Sequence, residues 1–588
     1  MSYNPLSLKL PGIATGLRAA WREGYGLADL RKDAMAGLTI GILAVPLSMA
    51  LAIATGVPPQ HGLYTAIVAG IFIALTGGAR FNVSGPTAAF VAILFPIVAQ
   101  YGLGGLLIAS MMAGVILVAM GIARMGRLIE FVPYPVVLGF AAGIAVVIAV
   151  LQIPDFLGLS VDDLGEHFVE NLMAIFSSLP SLNPFELGIG ACTLAVMLLW
   201  PRLQIPVPAP LVGLVFGAVA AYVINQWFGG AGIEVETVAS RFTWEINGET
   251  GNGIPPIAPT FMAPWLLPGT DGEPLELSFD LIRALMGPAF AIAMLGAIES
   301  LLCAVVADGL AKTRTKHDPN AELIGQGIGN ILAPLFGGIT ATAALARTAT
   351  NIRSGARSPI AAVIHALVVL LAVVALADLL GLVPMSALAA LLFIIAWNMS
   401  EARHFLHTLR SAPPGDVAIL VICFGLTVFF DMVLAVAVGI GLAAALFIRR
   451  MALLTQTDRV DTDNHPAIGG LPAEVAAYNI DGPLFFGAAE KALTSLHLVD
   501  PKVRIIIIDM HGVPSMDGTA IVALRSLIDE MHREDIALIL VGLPARIIVK
   551  LRRAGIRKTR GMLTYCRKLQ HARDVALTWH RTRNDIKP

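Results

Sequence analysis

Two stretches decide how this chain is built: Gly77-Gly78-Ala79-Arg80-Phe81-Asn82-Val83-Ser84-Gly85-Pro86-Thr87-Ala88-Ala89, and Gly337-Gly338-Ile339-Thr340-Ala341-Thr342-Ala343-Ala344-Leu345-Ala346-Arg347-Thr348. Each reads as a Gly-Gly break, a few extended residues rich in Ser and Thr, and then a short run of helix formers. Each therefore places a helix start in the middle of an otherwise apolar region. A helix start presents unpaired backbone N–H groups and about half a positive charge, so two that face one another in a low-dielectric site attract an anion. Pro86 suits the first helical turn, where its missing N–H would be unpaired anyway. Arg347 is expected little more than one turn into the second helix, adding a full positive charge.

The surroundings explain why those starts would lie in lipid. Of the 588 residues, 56% are hydrophobic and 14% charged, against about 25% charged in soluble domains. Apolar stretches long enough to cross a hydrocarbon core of about 30 Å recur from Ala34 to Ile448. Fourteen spans are expected, centred near Leu43, Gly70, Leu94, Val115, Ile144, Val196, Phe216, Leu295, Ile331, Arg347, Leu370, Leu392, Thr427 and Gly441. The 57 glycines and 36 prolines suit tightly packed and interrupted helices. The first span is expected to serve as its own uncleaved insertion signal.

Orientation follows from the basic residues of the short loops. Arg80, Arg124 and Arg127, Arg202, Lys312, Arg314 and Lys316, Arg353 and Arg357, Arg403 and Arg410, and Arg449 and Arg450 all follow even-numbered spans. The two longer opposite loops are acidic. Asp155 to Glu170 carries Asp162, Asp163 and Glu166 without Lys or Arg, and Glu234 to Glu276 contains one basic residue, Arg241. Both termini are thereby expected in the cytoplasm, and the protein in a cell inner membrane. Spans three and ten then run in opposite directions, as an inverted repeat of seven plus seven spans requires.

The expected domains are a cytoplasmic segment over 1–33, a membrane domain over 34–450, and a linker with a soluble domain over 451–588. In the last, strand-like runs Val503 to Asp509 and Ile536 to Gly542 alternate with amphipathic stretches Thr519 to Arg533 and Ala545 to Ala554, the pattern of an α/β sandwich.

Glu299, in Ala297-Ile298-Glu299-Ser300-Leu301, has apolar neighbours and lies far from Arg283 and Asp308. Ionising a carboxyl there costs desolvation energy, so it can carry a proton and couple proton entry to anion entry; the other reading is a neutral or Arg-paired structural acid. Arg347 lines the anion site, or else snorkels or pairs with an acid. Ser84-Gly85-Pro86-Thr87 reads equally as a helix cap. Leu47 and Leu51, after a break at Pro46, form an apolar wall or ordinary core. His61 and His365 read as satisfied polar residues, and Gly325-Gln326-Gly327-Ile328-Gly329 as a close helix contact. Cys192, Cys303, Cys423 and Cys566 fit neither a disulfide framework nor a zinc site. No phosphate-binding loop, metal-ligand spacing or catalytic triad is visible, so no enzymatic reaction, cofactor, metal or nucleic-acid partner is expected.

From Asp33 to about Asp574 the chain resembles the sulfate permease family of anion transporters. The likeness rests on Pro46 to Ala54, Gly56-Val57-Pro58-Pro59-Gln60-His61-Gly62-Leu63-Tyr64, Ser84-Gly85-Pro86-Thr87-Ala88, Gly126-Arg127-Leu128-Ile129-Glu130-Phe131-Val132-Pro133 and Asn320-Ala321-Glu322-Leu323-Ile324-Gly325-Gln326-Gly327. The resemblance implies fourteen spans in two inverted repeats, a core domain moving against a gate domain like an elevator, a C-terminal cytoplasmic STAS domain and a homodimer. It points to Leu47, Leu51, Thr87, Ala88, Ala343, Ala344 and Arg347 as the substrate site, with Glu299 as the coupling acid. Val83 to Phe90 and Ala343 to Asn351 look most like the bacterial C4-dicarboxylic acid transporters of the family. Proton-coupled uptake of succinate, fumarate or aspartate by alternating access is therefore the leading expectation. A sulfate, bicarbonate or chloride carrier or exchanger is the alternative, and an anion channel or a membrane sensor with STAS output a more remote one. Ser515-Met516-Asp517-Gly518-Thr519-Ala520 is similar to the phosphoserine loop of anti-sigma-factor antagonists, with Gly518 in that neighbourhood and Thr519 as the nearest hydroxyl. A docking surface for a cytoplasmic protein is expected there.

Overall fold

The computed structural model describes residues 12–129, 133–161, 165, 168–205, 207–228, 234–246, 248–267, 269, 275, 277–313, 315–430, 432–453, 455–461, 465–485 and 502–584. Of the charges used above for orientation, Asp162, Asp163, Glu166, Glu276 and Arg314 lie outside the described residues, as do Glu130, Phe131 and Val132 of the family-like motif. The chain divides into two compact units, 1–440 and 441–588.

The first unit begins with α1 (Thr15–Arg22), α2 (Leu27–Ala54) and α3 (Pro59–Thr76). α2 starts seven residues before the expected first span, and it is helical straight through Pro46, so the expected break there is absent. A two-residue strand β1 (Ser84–Gly85) leads into α4 (Ala88–Ile122), which Gly102, at φ 68°, divides into the third and fourth spans. Next come α5 (Gly126–Ile129), α6 (Tyr134–Leu151), α7 (Ile153–Leu157), α8 (Phe168–Ser177), α9 (Pro184–Leu199), α10 (Ala209–Phe228) and α11 (Val238–Arg241). A hairpin, β2 (Thr243–Ile246) and β3 (Glu249–Asn252), precedes α12 (Phe279–Ala311) and α13 (Pro319–Leu332). A second two-residue strand β4 (Thr342–Ala343) leads into the nine-residue α14 (Leu345–Arg353). α15 (Ile360–Gly381), α16 (Met385–Met399), α17 (Ala402–Ser411), α18 (Pro414–Phe429) and α19 (Met432–Leu453) follow. All fourteen expected span centres fall inside these helices, ten of which are long and apolar enough to cross a bilayer.

Each half contributes to two helix groups. α2, α3 and α4 pack chiefly against α15, α13 and α12, whereas α6 and α9 pack against α18 and α16. Seven spans of the second half thus repeat the first seven in order, and the two repeats interleave to make a core group and a gate group. Glycine allows the closest approaches inside the core group. α4 and α13 cross with Gly114 and Gly327 against each other's backbone, where an added Cβ would lie 2.7 and 2.6 Å from the facing carbonyl oxygens.

The second unit holds a five-stranded sheet in the order β5 (Gln456–Arg459), β6 (Val475–Asp481), β7 (Ile505–Asp509), β8 (Ala537–Val541) and β9 (Leu563–Cys566). The β5–β6 pair is antiparallel and the others are parallel. α20 (Gly518–Arg533) and α21 (Ala545–Arg553) cover one face through Leu524, Leu527, Ile547 and Leu551. α22 (Leu569–Asn584) covers the other with Ala572 and Ala576. The continuous apolar runs of β7 and β8 are those of strands buried on both faces.

Candidate anion-binding site

The two Gly-Gly stretches meet. β1 and β4 pair antiparallel, Ser84 opposite Ala343 and Gly85 opposite Thr342, and the Ala344 N–H donates to the Val83 carbonyl at 3.0 Å. Antiparallel crossing sends α4 and α14 away in opposite directions, with their N-termini at the crossing. Pro86 is thus not in the first helical turn as the sequence suggested; it sits in the extended entry, and Thr87 is the residue before α4. Arg347 is the third residue of α14, closer to the helix start than expected.

Neither start is capped by a side chain. The first hydrogen bond of α14 runs from the Thr348 N–H to the Ala344 carbonyl at 2.9 Å, so the amides of Leu345, Ala346 and Arg347 precede it. Arg347 is 4% exposed. Its Nη2 crosses to donate to the Pro86 carbonyl at 2.6 Å, while Nε and Nη1 have no acceptor. Gly85 makes room, since a Cβ there would stand 2.6 Å from Nη1. Thr87 Oγ1 donates to Glu299 Oε2 at 3.1 Å, and Glu299 lies within the electrostatic reach of Arg347. Hence Thr87, Glu299 and Arg347, drawn from three elements, converge on one spot. Ala88 and Ala343 are buried beside it, and Thr87, Ala344 and Glu299 are half-buried. Leu51 is buried and Leu47 half-buried on α2, the helix that packs against both α4 and α14.

Beside the same crossing, on α13, lies a stripe that sequence reasoning did not single out for a role. Glu322, Gln326 and Asn330 recur every four residues along α13. Glu322 Oε2 accepts from the Gly78 and Ala79 amides at 3.0 and 2.8 Å, and Oε1 from Asn82 and Gln326 at 2.9 and 3.1 Å. Gln326 donates to Ser84 Oγ at 3.0 Å, and Asn330 both donates to and accepts from the Ala341 backbone at 2.8 Å. Thr348 Oγ1 accepts from the Val83 amide at 3.0 Å, and Asn351 donates to the Phe81 carbonyl at 2.9 Å. The polar periodicity of four within an apolar span was the signal that could have revealed this stripe.

Of the two histidines, His61 is satisfied, its Nδ1 lying 2.6 Å from the Gly337 carbonyl. His365 departs from expectation. It is fully buried, and its ring has only a poorly aligned partner in the Ala362 backbone. Gly325 serves the expected close contact, with an added Cβ 2.5 Å from the Gly77 Cα. No metal-binding cluster occurs among the described residues.

Comparison with known proteins gives this geometry its context. The sulfate permease family matches residues 30–423, and the STAS domain matches 470–565. A putative sulfate transporter of Bacillus subtilis, YvdB, is 40% identical over 91% of this chain and 95% of its own length. The bicarbonate transporter BicA of Picosynechococcus is 30% identical over 87% and 89%. The solved structure of SLC26A9 shares the fold with a TM-score of 0.81 at 18% identity, covering 97% of this chain and 94% of that one.

Proposed function

The chain belongs to the sulfate permease family and is a multi-pass anion transporter with a C-terminal STAS domain, not an enzyme; from that premise we propose that it carries a small oxyanion of the sulfate or bicarbonate type by alternating access. One observation carries the reading: a fully buried guanidinium with two unused donors beside two uncapped helix starts. The oxyanion takes the place of the missing acceptors at Arg347 Nε and Nη1, and the amides ahead of Thr348 supply further donors. Desolvation of the anion is offset by these fixed donors, which need no reorganisation to receive it. Names borne by relatives at 40% and 30% identity favour this class of solute.

Glu299 supplies the coupling. With Thr87 on one side and the Arg347 charge within reach, a proton on Glu299 and an anion on Arg347 enter one neighbourhood. Each lessens the electrostatic cost of the other. The core group carries this site past the gate group in the manner of an elevator, in a homodimer with both termini in the cytoplasm and the chain in a cell inner membrane.

A C4-dicarboxylate is the second reading. It is favoured by the apolar wall of Leu47, Leu51, Ala88 and Ala343, which suits a carbon chain, and by the likeness of Val83 to Phe90. Uptake of labelled sulfate, bicarbonate and succinate into proteoliposomes, at matched concentration and with an imposed proton gradient, tests both. Sulfate or bicarbonate uptake that succinate does not compete away supports the first. Succinate uptake that neither inorganic anion competes away replaces it with the second.

A further inference from the structure

Charge in the second unit is unevenly placed. Between Ile536 and Arg573 the sequence holds ten Lys and Arg and no Asp or Glu, in a chain whose net charge is −1. Arg573 lies on α22, across the sheet, but most of the others stand on α21 and at the two ends of β9. Arg546, Lys550 and Arg553 recur along α21 beside buried Ile547 and Leu551, and all three are exposed, Arg546 and Lys550 donating to the Pro514 and Met516 carbonyls. Arg557, Lys558 and Arg560 lie in the turn before β9, and Arg567 and Lys568 directly after it; all five are exposed. Among the described residues β9 is an edge strand whose strand partner is β8. A lysine or two suffice to keep an edge strand from pairing with another chain, and Lys558, whose Nζ meets the Tyr565 carbonyl at 3.4 Å, already does so. Eight positive charges exceed that need. No ion pair among the described residues neutralises this flank.

We propose that the flank formed by α21 and the two ends of β9 docks onto the anionic phospholipid headgroups of the bilayer in which the chain is embedded. Two observations choose lipid over another occupant. Two residues separate α19, whose last turn carries basic Arg450, from β5, so the domain is tethered to that surface and meets it at high effective concentration. Val549, 47% exposed, stands amid the basic residues of α21, and an apolar side chain ringed by cations suits the boundary between headgroups and acyl chains. Docking would hold the domain against the leaflet on its own side through many weak attractions that salt screens. The inference does not depend on which anion is carried.

The test uses the full chain in lipid nanodiscs, either of phosphatidylcholine alone or with one third phosphatidylglycerol, read by amide hydrogen exchange over residues 545–562. About tenfold slower exchange in the anionic discs, lost at 0.5 M salt, is the expected result. Combined Arg552→Gln, Arg553→Gln, Arg557→Gln and Arg560→Gln should remove the protection while leaving exchange in β7 and β8 unchanged, which shows that the domain is still folded. Arg525→Gln, on α20, should change nothing. Equal exchange in the two disc types overturns the proposal, as does protection that survives high salt. Protection that appears only when polyglutamate is added would assign the flank to an acidic protein and would overturn it as well.

Discussion

Glu322 and Arg347 are both charged, both buried to within a few per cent, and both set against the β1–β4 crossing. Glu322 accepts four hydrogen bonds, from two backbone amides and two side chains. Arg347 makes one and leaves two donors idle. A buried polar group that is fully paired holds a structure together; one left incomplete costs stability unless something else completes it. The same crossing therefore carries scaffold groups, such as Glu322, beside binding groups, such as Arg347, and the hydrogen-bond inventory tells them apart where burial does not.

Substitutions can break that contrast. The largest effect is expected at Glu322→Ala, which strands four donors and should cost about 3–5 kcal/mol. Thermal unfolding in detergent should show a large fall in Tm and loss of monodisperse protein; a near-normal Tm would mean the stripe is not a scaffold. Arg347→Ala should instead leave Tm close to normal while anion affinity, measured by calorimetry, falls by about a hundredfold, the loss of one to two charge-assisted hydrogen bonds. Unchanged affinity would remove Arg347 from the site. At Glu299→Gln, anion binding should persist but uptake should stop responding to pH, whereas wild-type uptake should rise as the external pH falls. If that rise survives in the variant, the proton travels elsewhere.

Gly85→Ala sharpens the contrast further, since its Cβ would press on Nη1 without touching Glu322. Affinity about tenfold weaker, with normal stability, is expected from a displaced guanidinium. The smallest effect belongs to Glu23→Gln, outside the membrane. A hydrogen bond from Arg80 holds the Glu23 carboxyl below the usual carboxylate range, so the pair stabilises at neutral pH and fades as pH falls through that range. The Glu23 side chain is 41% exposed, so solvent screens the pair and less than about 1 kcal/mol should be lost, as a Tm difference that vanishes in acid.

The architecture was legible in the sequence wherever a local pattern carried it. Apolar runs placed fourteen span centres, and Gly-Gly followed by Ser and Thr marked both broken helices. The α13 stripe is legible in the sequence only as a likeness, because what Glu322 does depends on Gly78, Ala79 and Asn82, some 240 residues away, and sequence spacing cannot show such partners. Pro46 misled because a proline in a helix interior reads as a break, yet α2, packed along α3 and α15, continues through it. Thr87, Glu299 and Arg347 were legible as one site through the two facing helix starts and the family resemblance; the contacts from Thr87 to Glu299 and from Arg347 to the Pro86 carbonyl were not, because they join elements far apart in the chain.

That crossing joins Ser84 to Ala343 across 259 residues of chain. During synthesis the first broken helix must wait, its strand without a partner and its helix start open, until six further spans have been made. Any nascent chain released before β4 emerges is unable to complete the pocket, whatever else of it has inserted. Assembly of the site is thus a checkpoint in biogenesis, passed only by a chain that has already made nine of its fourteen spans.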